Sequence, residues 1–151
     1  MQSKRGAYIN GVRRPLHPFL VPFPLVFFGM SFVFDLLSLR FGASMVEAAL
    51  YNVVGGLVAA GLSALAGLWD YRTQLERRSN GRRLARWHAL INVVAVLLFA
   101  AGLGDRWAAR GAEVTPRVPF ILSALGVVLL GVSSYVGGII LHNFSILRRA
   151  P

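Results

Sequence analysis

Four long apolar runs divide the chain into segments that are each long enough, or nearly so, to cross a bilayer. The spans are approximately residues 17–39, 43–69, 88–104 and 118–143. A helix of about 20 residues crosses the ~30 Å hydrocarbon core, and inside lipid each segment must satisfy its own backbone amides. Because 56% of the 151 residues are hydrophobic, little of the chain remains for a soluble domain. The pattern predicts an all-α fold, a four-helix transmembrane bundle.

The basic residues fall mainly on one side of this arrangement. Of the sixteen lysines and arginines, twelve lie in the tail 1–16, in the loop after the second span or in the tail 148–151. Positive loops stay in the cytoplasm, so we expect both tails of the membrane domain 17–147 there, in a bacterial inner membrane. Topology explains the net charge of +10, and nucleic acid is not an expected partner. The basic residues are expected to hold anionic lipid headgroups, particularly Arg77, Arg78, Arg82 and Arg83.

Small residues recur at helical spacing along the second and fourth spans. In lipid, such residues let helix backbones approach closely. The small face of the second span is therefore predicted to lie at the bundle centre; its members are Gly55, Gly56, Ala59, Ala60, Ser63, Ala64 and Gly67. In the first span, Pro22 and Pro24 are predicted to kink the helix or delay its regular start.

Three histidines lie at the predicted cytoplasmic ends of spans: His17, His88 and His142. A b-type haem needs two opposed imidazoles at matched depth, and His88 with His142 is the leading pair, with His17 as a further candidate. The rings could instead be interfacial or hydrogen-bonded side chains. With Asp70 they could also hold zinc or another divalent metal. The residues leave these alternatives open, and haem b is a possible cofactor.

The other polar residues of the spans are interpreted as structural. Asp35 is expected near the outer boundary, where Arg40, Arg106 or Arg117 could pair with it. Asp70 closes the second span, and Asn92 lies one turn from His88 on the same helix face.

A weak repeat is visible in the spacing of these residues. His17 precedes Asp35 by 18 positions, and His88 precedes Asp105 by 17. A duplicated two-helix hairpin would produce this spacing, and so would chance.

Several short motifs resemble a bacterial family of predicted four-span membrane proteins, domain-of-unknown-function family 2231. They are the stretch from Arg14 to Leu20 that leads to Pro24, Asp35-Leu36-Leu37, the stretch from Ser63 to Asp70, the stretch from His88 to Asn92, Arg106 and Gly137-Gly138. Some relatives in that family are fused to Rieske-type iron–sulfur domains, and the resemblance therefore implies a redox setting.

The chain carries no phosphate loop, nucleophile elbow or zinc-protease motif, and we do not expect an enzyme. Its 151 residues leave little beyond the spans. These features favour a non-catalytic accessory or scaffold subunit of a larger membrane complex, one related to electron transfer, with other membrane subunits as partners. The alternative is a haem b-binding membrane redox protein with two histidine ligands near the cytoplasmic face.

Overall fold

The computed structural model describes residues 15–73 and 80–144, and its regular elements there are all helices. They are α1 (His17–Leu20), α2 (Pro22–Phe41), α3 (Ala43–Thr73), α4 (Asn80–Ala101), α5 (Leu103–Ala108) and α6 (Arg117–Phe144). Four helical segments have the length and hydropathy of membrane spans: His17–Phe41, Ala43–Thr73, Asn80–Ala108 and Arg117–His142. The predicted all-α, four-span fold is confirmed. The third segment begins eight residues before His88, so its basic first turns are helical too.

The first span is divided into two consecutive helices at its proline-rich start. α1 ends at Leu20 and α2 begins at Pro22. Pro22 and Pro24 have no N–H to donate to the preceding turn, although Val21 keeps helical dihedral angles and its carbonyl accepts a bond from Leu25 N–H at 3.3 Å. The short α1 therefore places His17 at one end of the bundle, ahead of the long α2.

The helices form two antiparallel hairpins, α2 with α3 and α4 with α6. Contacts between α2 and α6 and between α3 and α4 close the ring, so α2 and α4 lie diagonally opposite each other. Phe28 of α2 and Phe99 of α4 reach across this diagonal and stack with their ring centroids 4.1 Å apart. Both are almost fully buried, and they form the centre of the core with Val53, Ala95 and Leu130.

The two hairpins repeat each other about an axis that runs along the bundle. Three pairs of residues on the α1–α2 and α4–α5 segments are each separated by 71 positions, and each pair is in contact: His17 with His88, Phe28 with Phe99, and Asp35 with Arg106. A contact between equivalent positions is what a two-fold axis between the hairpins produces. The residue of the second hairpin that is equivalent to Asp35 is thus Arg106. The sequence spacing had suggested Asp105, which is one position earlier.

The second helix of each hairpin repeats with a spacing of 70 positions. The equivalent pairs are Gly56 with Gly126, Ser63 with Ser133, and Gly67 with Gly137. Each glycine makes room for a ring of the first helix. A Cβ atom at Gly56 would lie 2.6 Å from Phe28, and one at Gly126 would lie 2.5 Å from Phe99. The small face of the second span thus faces the centre at Gly56 and Ser63, whereas Ala64 is exposed.

Candidate functional site

His17 is held at the end of the bundle by three groups of α3. Its Nδ1 lies 2.8 Å from the carbonyl oxygen of Ser63 and 3.2 Å from the Ser63 hydroxyl. Its backbone N–H donates to Asp70 Oδ2 at 2.8 Å. A Cβ atom on Gly67 would lie 2.9 Å from His17 Nδ1, so the ring lies directly against this glycine. The sequence pattern predicted a structural role for Asp70, and here it fixes the start of α1.

His88 is held by α6 in the equivalent way. Its Nδ1 lies 2.9 Å from both the carbonyl oxygen and the hydroxyl of Ser133. A Cβ atom on Gly137 would lie 3.1 Å from its Cε1. Asn92 Nδ2 lies 3.1 Å from His88 Nε2 and also donates to the His88 carbonyl at 2.9 Å. Asn92 and His88 therefore share a helix face, as their spacing predicted.

These contacts set the tautomer of both rings. A backbone carbonyl only accepts hydrogen bonds, so each Nδ1 next to a serine carbonyl carries the proton. In the neutral ring, Nε2 then keeps its lone pair. The two rings meet across the two-fold axis, with centroids 5.8 Å apart and planes at 83°. The structure thus brings together His17 and His88, each with its Nδ1 engaged by the second helix of its own hairpin.

The third histidine is separate from this pair. His142 lies near the end of α6 and its side chain is exposed. Among the described residues, the ring contacts of histidine join His17 with His88 and do not include His142. The described part of the chain also contains no group of three or more His, Cys, Asp or Glu side chains placed to hold a metal ion. The histidine pair that the structure assembles is therefore His17 with His88, whereas the sequence favoured His88 with His142.

A second polar cluster lies at the other end of the axis, around Asp35 and Arg106. Arg106 Nη1 and Nη2 donate to Asp35 Oδ1 and Oδ2 at 2.7 and 2.6 Å. The side chains are 1% and 0% exposed. Arg106 Nη2 also donates to Ser123 Oγ at 2.7 Å, and Thr115 Oγ1 donates to Asp35 Oδ1 at 2.9 Å. Because both charges have several partners, this cluster serves to join the two hairpins and the loop before α6.

Sequence reasoning included Arg106 among the possible partners of Asp35 but missed the burial of the pair and the roles of four hydroxyl residues, Ser63, Thr115, Ser123 and Ser133. The available signal was the spacing of 70 positions between Ser63 and Ser133, which matches the spacing of Gly67 and Gly137. Ser31 is a further buried hydroxyl, one turn before Asp35, and its Oγ has no partner among the described residues.

The basic residues predicted to meet lipid headgroups are only partly described. Arg82 places its guanidinium 4.0 Å from the centroid of the Tyr71 ring and donates to the Tyr71 carbonyl at 3.4 Å. Arg83 is exposed at the start of α4. Arg77 and Arg78 lie outside the described residues. The exposed indole rings of Trp69 and Trp87 lie in the same part of the bundle, as expected at a membrane interface.

Comparison with known proteins identifies a family. The family described as predicted membrane protein (DUF2231) matches residues 13–147. The chain belongs to this family. The match covers all four spans and both polar clusters of this DUF2231 protein. Comparisons with curated proteins and with solved structures returned no match.

Proposed function

We propose that this DUF2231 protein is a non-catalytic accessory subunit that packs through α6 against other subunits of a larger membrane complex. The observation that carries the proposal is the outward face of α6, where Gly131, Ser134 and Gly138 are all exposed. A Cβ atom on either glycine would meet nothing within 4 Å. Small residues with the spacing of one helix face let the backbone of a neighbouring helix approach closely in lipid.

The repeat supports the choice of α6 rather than α3. The positions of α3 equivalent to Gly131, Ser134 and Gly138 are Gly61, Ala64 and Leu68. Leu68 is 45% exposed, so a large side chain interrupts the small face on α3. Since Gly61 and Ala64 are small like their equivalents Gly131 and Ser134, the difference at Leu68 favours α6 as the face suited to a close helix contact.

The proposed complex handles electrons and lies in the bacterial inner membrane. Support for the redox part comes from His17 and His88, because paired imidazoles between membrane helices are side chains with which proteins bind redox metals. Support for the location comes from the basic residues of the loop after α3, which favour a cytoplasmic position beside anionic lipids. In this proposal the bundle anchors and positions its partners, and the chemistry belongs to the complex.

Migration of the protein in native gels tests the proposal. Membranes that express the chain at its natural level are extracted in a mild detergent. We expect a species well above that of a single 16.4 kDa chain, with haem, flavin or iron–sulfur absorbance in the purified complex. A solitary chain under these conditions would contradict the proposal.

A matched pair of variants locates the contact. Gly131→Leu fills the exposed face of α6, and Gly61→Leu makes the same change at the equivalent exposed position of α3. We expect Gly131→Leu to release the chain from the large species and Gly61→Leu to leave that species intact. Equal behaviour of the two variants would show that α6 is not the contact face.

A further inference from the structure

The geometry points to a metal-binding site formed by the Nε2 atoms of His17 and His88, for a first-row transition metal that needs only two ligands from the protein. The site lies on the two-fold axis at the end of the bundle where α1 begins. It deepens the redox part of the proposed function, which rests on the same two histidines, and it is independent of the packing role of α6, because neither histidine lies on that helix.

Each imidazole has the surroundings of a metal ligand. Histidines that bind metals almost always donate their other ring N–H to a carbonyl or a carboxylate, which fixes the tautomer and the ring orientation. The Nδ1 atoms of His17 and His88 lie 2.8 and 2.9 Å from the carbonyls of Ser63 and Ser133. Each hairpin contains one such histidine and serine carbonyl, and the two-fold axis relates the two arrangements.

The separation of the rings agrees with a shared ion. Metal–nitrogen bonds to imidazole are ~2.0 Å long, which places the centres of two rings on one ion about 5 Å apart at a tetrahedral angle and about 6.3 Å apart when the two nitrogens are opposed. The centroids of His17 and His88 are 5.8 Å apart. Among the described residues, His17 Nε2 has no hydrogen-bond partner, whereas His88 Nε2 accepts from Asn92. A metal ion can bind His88 Nε2 only after the side-chain amide of Asn92 turns away from that atom. The amide can still donate to the His88 carbonyl after this movement.

The number of protein ligands limits the kind of metal. A structural zinc site takes four protein ligands and a catalytic one takes three, and the described residues offer no such group. The site therefore suits a metal whose remaining ligands do not come from this chain. Imidazole binds copper, iron and zinc well. A free copper ion completed by water or small anions meets the requirement at the observed ring separation. Haem iron, to which the porphyrin supplies four nitrogens, also needs only two ligands, but it requires opposed imidazoles slightly further apart than they are here.

Two probes distinguish haem iron from a free copper ion. The full-length chain is purified without a polyhistidine tag in detergent micelles, and one sample receives haemin alone while another receives Cu²⁺ alone. We expect about one equivalent of one probe to remain after gel filtration. Haem would give a Soret band of bis-imidazole type, and copper would give an electron paramagnetic resonance spectrum with splitting from two nitrogens.

Three variants assign the ligands. His17→Gln and His88→Gln each retain an amide that can donate to the serine carbonyl, and each should lower the affinity at least tenfold. His142→Gln is the matched control and should leave the affinity unchanged. Circular dichroism checks that each variant keeps its helices, and the nitrogen splitting of the unaltered protein tests the site even if a variant fails to fold.

The proposal fails if neither probe is retained by the unaltered protein. It also fails if the double variant His17→Gln/His88→Gln binds as well as the unaltered chain, because the bound metal is then adventitious. If only His142→Gln lost the bound metal, the ligand would lie at the end of α6 and the proposed site would be wrong. None of these results bears on the packing of α6, which the native gel tests separately.

Discussion

Asp35 and Arg106 illustrate how much one buried residue can depend on a partner from the other half of the chain. Each charge is removed from water, and each is compensated chiefly by the other through two N–H···O bonds. Loss of one member of such a pair leaves an uncompensated buried charge, which costs about 3–5 kcal/mol. We therefore expect Asp35→Leu to lower the free energy of unfolding by this amount, measured by reversible denaturation in mixed micelles.

A double variant and a neighbouring residue provide the controls. Asp35→Leu/Arg106→Met removes both charges, and its stability should lie nearer to that of the unaltered protein, because apolar replacement of a whole buried pair is often neutral. Asp105→Leu alters an exposed carboxylate one position away and should change the stability by less than about 0.5 kcal/mol. An Asp35→Leu variant as stable as Asp105→Leu would contradict the role assigned to the ion pair.

For the ion pair, the sequence predicts the charged partner of Asp35 but not the hydroxyl groups that bind to the pair. An aspartate in an apolar span is expected to pair with a cationic side chain. Three arginines lie near the same membrane boundary, and Arg106 is one of these candidate partners. The hydroxyl partners could not be predicted in this way. Thr115 is 80 positions from Asp35, and the bond between them depends on how the loop before α6 folds over the bundle.

At the scale of the helix, we expect alanine substitutions at two glycines of α6 to have opposite effects on stability. A Cβ atom on Gly126 would lie 2.5 Å from the ring of Phe99, which is stacked on Phe28 and cannot easily move. We expect Gly126→Ala to destabilise the fold by about 1–3 kcal/mol through overpacking. Gly131→Ala, five positions along the same helix, has nothing within 4 Å and should be neutral or slightly stabilising. Thermal denaturation of the two variants compares them directly, and equal stability would exclude the close packing at Gly126.

Hydropathy predicted the existence of the helices better than their bounds. The apolar windows gave the four spans because lipid excludes unsatisfied amides. They placed the start of the third span near His88, whereas α4 begins at Asn80. The reason is physical, since a helix continues past the hydrocarbon boundary wherever its basic side chains reach water or headgroups. Arg82, Arg83 and Arg86 therefore belong to the helix although they end the apolar run.

At the scale of the whole molecule, the two-fold repeat was nearly invisible in the sequence. Equivalent positions often carry different residues, as Asp35 and Arg106 do, and the spacing changes from 71 to 70 between the two helices of a hairpin. The histidines were placed at similar depths by counting along the spans. The contacts place His88 level with Ser133 and Gly137 of α6. His142 lies five positions beyond Gly137 and is exposed, whereas the ring of His17 lies against that of His88.

Orientation in the membrane is the remaining prediction for the whole molecule, and the absence of native cysteine makes it simple to test. Asn80 and Glu113 are both exposed and lie at opposite ends of the bundle. We expect a membrane-impermeant maleimide to label Glu113→Cys in intact spheroplasts, and to label Asn80→Cys only after permeabilisation, because the excess of basic residues predicts a cytoplasmic position for the loop before α4. The reverse pattern would invert the orientation while leaving the bundle unchanged. Labelling of both positions from outside would be incompatible with helices that cross the membrane, since α4 and α5 together separate the two sites by one complete span.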